Sequence, residues 1–317
     1  MSLLLKIDVR WHLMKRLLNC TASDFEKMNK NELLQAIEAS EGRTMLAEVI
    51  VQASPLYPGL TNAEYVSAFG ADLVLLNQFN VTSPHINDLP TVDSNQVITT
   101  MKKLIGRPVG INLEPVDENA DNTETLEKLN EGRTATKSSI QKAKELGIDF
   151  ICFTGNPKTG VTNEAIIQAI HYAKEIAEDQ FFIIAGIMHS SGVKVGKGGI
   201  LTPDVAGSFI DAGADIVLIP GVGTVPGSTL AKTEALVERI HEKGALALTT
   251  IGTSQEGADK ETIQQMALYN KMAGADVHHC GDAGYHGISV PERIMDYSIA
   301  IRGKRHTYIR MATSINR

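Results

Sequence analysis

Two hydrophobic periods alternate along most of this chain. Short apolar runs of strand length occupy 45–51, 73–76, 109–113, 150–153, 181–187, 216–219, 246–251 and 277–280. Between and after them, segments near 61–69, 94–105, 124–146, 163–178, 203–212, 228–243, 259–273 and 291–301 carry apolar residues at helical spacing. Eight strands, each followed by one helix, predict a (β/α)8 TIM barrel over 44–302. Ahead of it, 1–43 reads as an N-terminal helical extension. Thr21 and Ser23 stand as caps before Phe25, Met28, Leu33, Leu34 and Ile37, and Gly42 stops the pattern. The runner-up is a doubly wound open sheet, whose crossover would be the G-x-G-x-x-x-G run at 221–227, one residue off the dinucleotide fingerprint.

A repeated tripeptide supports the barrel. Gly70-Ala71-Asp72, Gly147-Ile148-Asp149, Gly213-Ala214-Asp215 and Gly274-Ala275-Asp276 introduce the second, fourth, sixth and eighth strands. The glycine suits a helix end, and the aspartate can hydrogen-bond the turn that launches the strand. Aligned on that Asp, the third residues are Leu75, Cys152, Leu218 and His279, and the fifth are Asn77, Thr154, Pro220 and Gly281. The polar members of this set assign it to the barrel interior, so His279 points inward and His278 and Cys280 outward.

Charge narrows the chemistry. Thirty basic against 37 acidic side chains give a net charge of −7, and no long basic run occurs. That argues against nucleic acid and anionic membranes as partners and favours small-molecule work. No apolar stretch approaches a signal-peptide core or a membrane span, so a cytoplasmic protein is expected. Cys20, Cys152 and Cys280 lack C-x-x-C spacing and are read as reduced thiols. The segment 303–317 is a basic C-terminal tail, read as a solvated tail packing near the last helix or at a subunit contact, as in a homo-oligomer, with anion binding as the alternative.

Barrel enzymes work at the C-terminal ends of their strands. Glu114 and His189, at the ends of the third and fifth strands, are the natural acid–base pair, joined by His279 and Asp282. The alternatives are a loop-capping Glu114 and a solvated His189. Glu48, inside the first run, is either an ion-pair member or a site carboxylate. Asn77, Asn112, Thr154, Asn156 and Lys158 would position a substrate. The small loops after strands seven and eight, with Gly252, Thr253, Ser254, Gly281 and Gly284, can turn backbone N–H groups toward one anion and are the expected phosphate grip. Lys194 and Lys197 read as phosphate or lid contacts. No lysine stands at the sixth strand end for a Schiff base, and no H-E-x-x-H marks a zinc site. Mg²⁺ or Mn²⁺ held by His189, His279, Asp282, Glu114 or His286 stays compatible with the composition.

Several segments together carry a resemblance: 40–43 (SEGR), 106–117 (GRPVGINLEPVD), 154–163 (TGNPKTGVTN), 223–227 (GTVPG), 251–258 (IGTSQEGA) and 278–285 (HHCGDAGY). They resemble an uncharacterised bacterial barrel family labelled phosphoenolpyruvate phosphonomutase-like or haloacid dehalogenase-like hydrolase. The resemblance implies a barrel. The sequence lacks both the D-x-D-x-[TV] run of haloacid-dehalogenase phosphatases and the K-x-C-G-H run of isocitrate-lyase-type enzymes. The expected function is a lyase, isomerase or epimerase acting on a small phosphorylated metabolite by proton transfer at the mouth. A metal-assisted hydrolase and a metabolite-binding barrel without turnover are the alternatives.

Overall fold

A computed structural model describes residues 15–117, 129–155, 160–188 and 201–317. Eight parallel strands close on themselves in sequence order: β1 (Thr44–Ile50), β2 (Leu73–Asn77), β3 (Val109–Leu113), β4 (Phe150–Phe153), β5 (Phe182–Gly186), β6 (Ile216–Pro220), β7 (Leu246–Ile251) and β8 (Val277–Cys280). The pairing of Leu46 with His279, β1 against β8, completes the ring. Helices α3 (Asn62–Ala68), α4 (Val97–Ile105), α5 (Lys137–Glu145), α6 (Asn163–Ala177), α7 (Pro203–Ala212), α8 (Leu230–Glu242), α9 (Lys260–Met272) and α10 (Pro291–Ala312) follow the strands. The fold is the expected (β/α)8 barrel, not the open sheet. None of its described helices is long and apolar enough to cross a membrane.

The strands are buried on both faces, as parallel strands between a filled interior and a helix layer must be. Two apolar clusters separate those faces. Leu46, Leu75, Phe150, Cys152, Ile184, Leu218 and Leu248 fill the barrel, whereas Val74, Ile151, Val217 and Cys280 pack outward under the helices. The expected register therefore holds. His278 lies outside, its Nε2 3.0 Å from the Gly42 carbonyl and its Nδ1 3.1 Å from the Tyr297 hydroxyl. Asn270 donates to that same hydroxyl and accepts from the Val222 N–H at 2.7 Å, so His278 belongs to a buried structural chain.

The repeated aspartates have one job. Asp72, Asp149, Asp215 and Asp276 accept, through Oδ2, from the N–H of Met45, Val109, Ile183 and Ala247, at the starts of the preceding odd strands, at 2.7–2.8 Å. In return, each Asp N–H donates to the carbonyl of that same odd-strand residue. Each carboxylate also meets a cationic or titratable partner: Arg302 and Arg310 at Asp72, Lys102 at Asp149, Lys30 at Asp215 and His241 at Asp276.

Both terminal segments join the barrel. Helices α1 (Ala22–Phe25) and α2 (Lys30–Glu38) start at capping boxes, Thr21 with Asp24 and Asn29 with Glu32, so Asn29 takes the role expected of Ser23. Leu17, Leu33, Ala36 and Ile37 then share the interior cluster with Leu46 and Leu73, closing the barrel floor. The stretch after 302 is not a loose tail. Gly303 breaks α10 with φ 72°, ψ 166°, a conformation suited to glycine, and turns 304–312 back across the protein. Arg310 is 2% exposed and donates to the carbonyls of Leu17 and Cys20. It also lies against Asp72 at 2.6 Å, off line for a hydrogen bond.

Candidate active site at the barrel mouth

Inward-facing positions of β1, β3, β7 and β8 bring four polar side chains together above a largely apolar barrel interior. The Asn112 amide donates to Oε1 of Glu48, and Oε2 of Glu48 lies 3.3 Å from Nε2 of His279, off line for a hydrogen bond. On its other side His279 has Nδ1 2.5 Å from the Thr250 hydroxyl. Glu48 is 3% exposed, and Thr250 and His279 are fully buried. Carboxylate, imidazole and hydroxyl thus lie side by side in the buried interior, the hydroxyl bonded to the ring and the carboxylate in contact with it.

Closer to solvent, the Asn77 amide donates to Oδ2 of Asp282 at 2.7 Å. Burial, reinforced by the negative charge of Glu48, pushes the Asp282 carboxyl up to about 8, the hydrogen bond from Asn77 opposing the shift. Glu256, 1% exposed on the short turn Gln255–Gly257, is also raised by burial. Its Oε1 accepts the Ala283 N–H at 2.8 Å, and its Oε2 is unpartnered.

In the loops expected to grip phosphate, two N–H groups are bonded within the protein. The Gly252 N–H meets the Thr224 hydroxyl at 3.2 Å, and the Gly281 N–H donates to the Ile251 carbonyl at 2.9 Å. The Glu256 carboxyl occupies the concavity of the last loop. A Cβ at Gly281 would stand 2.9 Å from Oε1, and one at Gly284 would stand 3.1 Å from Cγ. These glycines make room for a side chain of this chain. Thr253 and Ser254 both adopt left-handed backbone, φ 59° and 73°, a strained pair at the mouth.

Of the other expected site residues, Thr154 lies just beyond β4 and is 7% exposed. Glu114 is held by Arg133 at 3.0 Å, on the turn Glu131–Arg133, so it is a member of an ion pair. His189, Asn156, Lys158, Lys194 and Lys197 lie outside the described residues. His286 is exposed against Tyr285. Among the described residues no three His, Cys, Asp or Glu side chains converge as metal ligands, so no step is routed through Mg²⁺ or Mn²⁺. A cavity of about 550 Å³ at the opposite end, bordered by Leu34, Glu38, Asp215, His241 and Asp276, is far from this chemistry.

Residues 18–317 match the profile of a domain of unknown function, DUF7916. The chain belongs to that family. None of the curated proteins matches its sequence. In fold, the DUF7916 barrel is similar to a phosphonomutase candidate from Burkholderia cenocepacia J2315, with TM-score 0.50, 16% identity and coverage of 81% of this chain and 94% of the other. It is similar to the same degree, TM-score 0.50, to 2,3-dimethylmalate lyase, a PEP mutase/isocitrate lyase superfamily member, at 11% identity over 81% of each chain. The haloacid dehalogenase side of the sequence resemblance finds no support.

Three residues of the DUF7916 site escaped the sequence reading. Thr250 looked like any strand threonine, and its inward position follows from the register Thr250–His279. Glu256 stands among small loop residues with no pattern to single it out, yet it is the group around which the last loop folds. Arg133 stands 19 positions from Glu114, a pairing no local pattern announces.

Proposed function

We propose that this barrel is an acid–base enzyme of the lyase or isomerase type, moving a carbon-bound proton on a small oxygenated metabolite. One observation carries the reading: Asp282, held by Asn77 in the mouth, is a carboxyl whose burial brings its proton affinity to about 8. A carboxyl there gives or takes a proton near neutral pH, as a general acid or base must. Beneath it, Glu48, His279 and Thr250 place a carboxylate, an imidazole and a hydroxyl against one another. The names of the two similar barrels, one a mutase candidate and one a lyase, support the same class.

The reading does not depend on a phosphate on the substrate; the Gly252, Gly281 and Ala283 N–H groups already have partners within the protein. The test is solvent exchange. Purified protein is incubated in D₂O with a panel of hydroxy acids, keto acids and their phosphates and amines, and C–H loss is followed by NMR. Exchange with at least one compound, lost in Asp282→Asn, is expected. Binding without exchange across the panel would leave a metabolite-binding barrel instead.

A further inference from the structure

The hydrogen-bonding groups at the floor of the mouth are unbalanced, and the imbalance names a ligand class. Among the described residues several donors near the mouth are already bonded: the Gly252, Gly281 and Ala283 N–H groups have acceptors, the Asn112 amide N–H₂ is turned to Glu48, and the Asn77 amide is turned to Asp282, while Nε2 of His279 has no hydrogen-bond partner. Arg133 is engaged with Glu114. The acceptors are not spent. Oε2 of Glu256 and Oδ1 of Asn112 are buried without a partner, in residues 1% and 7% exposed. The Asn112 orientation is fixed chemically, because only its N–H₂ end can face a carboxylate, which leaves Oδ1 as the orphan. Glu48, Glu256 and Asp282 also lie near enough to one another for each charge to disfavour the next.

We propose that the mouth binds a substrate carrying a protonated amine, its N–H₃⁺ received by the carboxyls of Glu48, Asp282 and Glu256 and by the Asn112 carbonyl. An ammonium brings three donors and a positive charge, the complement of orphaned acceptors among buried carboxyls. An ammonium also accepts contacts near 3 Å from loosely arranged oxygens. A small divalent cation demands close, regular coordination, and among the described residues no three His, Cys, Asp or Glu side chains converge to give it. Without ligand, the proton retained on Asp282 relieves part of the repulsion, so an arriving ammonium should displace it into solvent. The inference deepens the acid–base reading by naming a substrate class for the same site, and it is tested separately from turnover.

The probes are two matched pairs: 2-aminoethanol against ethane-1,2-diol, and O-phosphoethanolamine against 2-hydroxyethyl phosphate. Each is titrated by calorimetry in two buffers of different ionisation enthalpy. The amine of each pair should bind about tenfold tighter or more than its hydroxyl partner, with proton release. Glu256→Gln keeps an acceptor for the Ala283 N–H, and Asp282→Asn keeps one for Asn77; in either, the preference should fall below about threefold. Asp282→Asn serves if the first variant does not fold, with far-UV circular dichroism deciding. Equal affinities within a pair, or a preference untouched by a folded variant, would overturn the proposal. So would Mg²⁺ binding more tightly than either amine and being lost in the same variants. Amine selectivity without D₂O exchange would leave this inference standing and remove the proposed reaction, whereas exchange on a non-amine substrate with no amine preference would do the reverse.

Discussion

Asp282 and His278 set opposite pH limits on stability. The Asp282 carboxyl keeps its proton in the fold up to about pH 8, whereas in the unfolded chain it ionises near pH 4. Across that window the folded state binds more protons, so this group lowers stability as pH rises. His278, pulled down to about 4 by burial, acts the other way: the unfolded chain takes up the proton first, so its contribution is lost as pH falls below about 6.5. From pH 5 to about 6.5 the two contributions offset and urea midpoints should stay nearly level; between about pH 6.5 and 8 only the Asp282 contribution remains, so they should decline, and Asp282→Asn should flatten that decline. A decline unchanged in that variant would remove Asp282 as its source. Thr250→Val deletes the hydroxyl against Nδ1 of His279 while nearly keeping shape. The unpaired buried nitrogen should cost about 1–3 kcal/mol, and Thr250→Ser should recover most of it in the same assay.

The Gly-x-Asp device shows how one local motif acquires different weights in different elements. At every copy the aspartate ties the start of an even strand to the start of the odd strand before it. Around Asp149 the partner Lys102 is part-exposed, whereas Arg302 and Arg310 meet Asp72 in the fully buried interior of the terminal elements. Asp72→Asn should therefore cost about 3–5 kcal/mol, because two buried guanidinium groups lose their counter-charge. Asp149→Asn should cost about 1 kcal/mol or less, since Asn still accepts from Val109 and the exposed pair is screened. Chemical denaturation of both variants compares them directly, and equal losses would contradict the burial argument. In α10, Gly303→Ala should cost about 1–2 kcal/mol from the left-handed φ alone.

At the scale of the molecule, the chain's two ends fasten one barrel. Removing 303–317 takes away Arg310, which joins Leu17 and Cys20 to Asp72, and uncovers the extension that closes the floor. Such a truncation should yield insoluble or molten protein, judged by soluble yield and near-UV circular dichroism. A folded, cooperative product would show that the clasp is dispensable. Much of the architecture was legible in the sequence. Hydrophobic period placed all eight strands within a residue or so of their ends, because a strand buried on both faces is a short continuous apolar run and needs no distant information. The shared Asp register put His279 inside and His278 outside, since side-chain direction alternates strictly along a strand. What the sequence could not fix was pairing across the ring. That Glu114 belongs to Arg133, that Glu48 and Thr250 flank His279, that the glycines after β8 enclose Glu256, and that a basic tail is a buried clasp depend on distances between elements far apart in the chain. Local preference decides each element by its own period and caps, but only closure of the barrel and burial determine which charges meet and which are left without a partner.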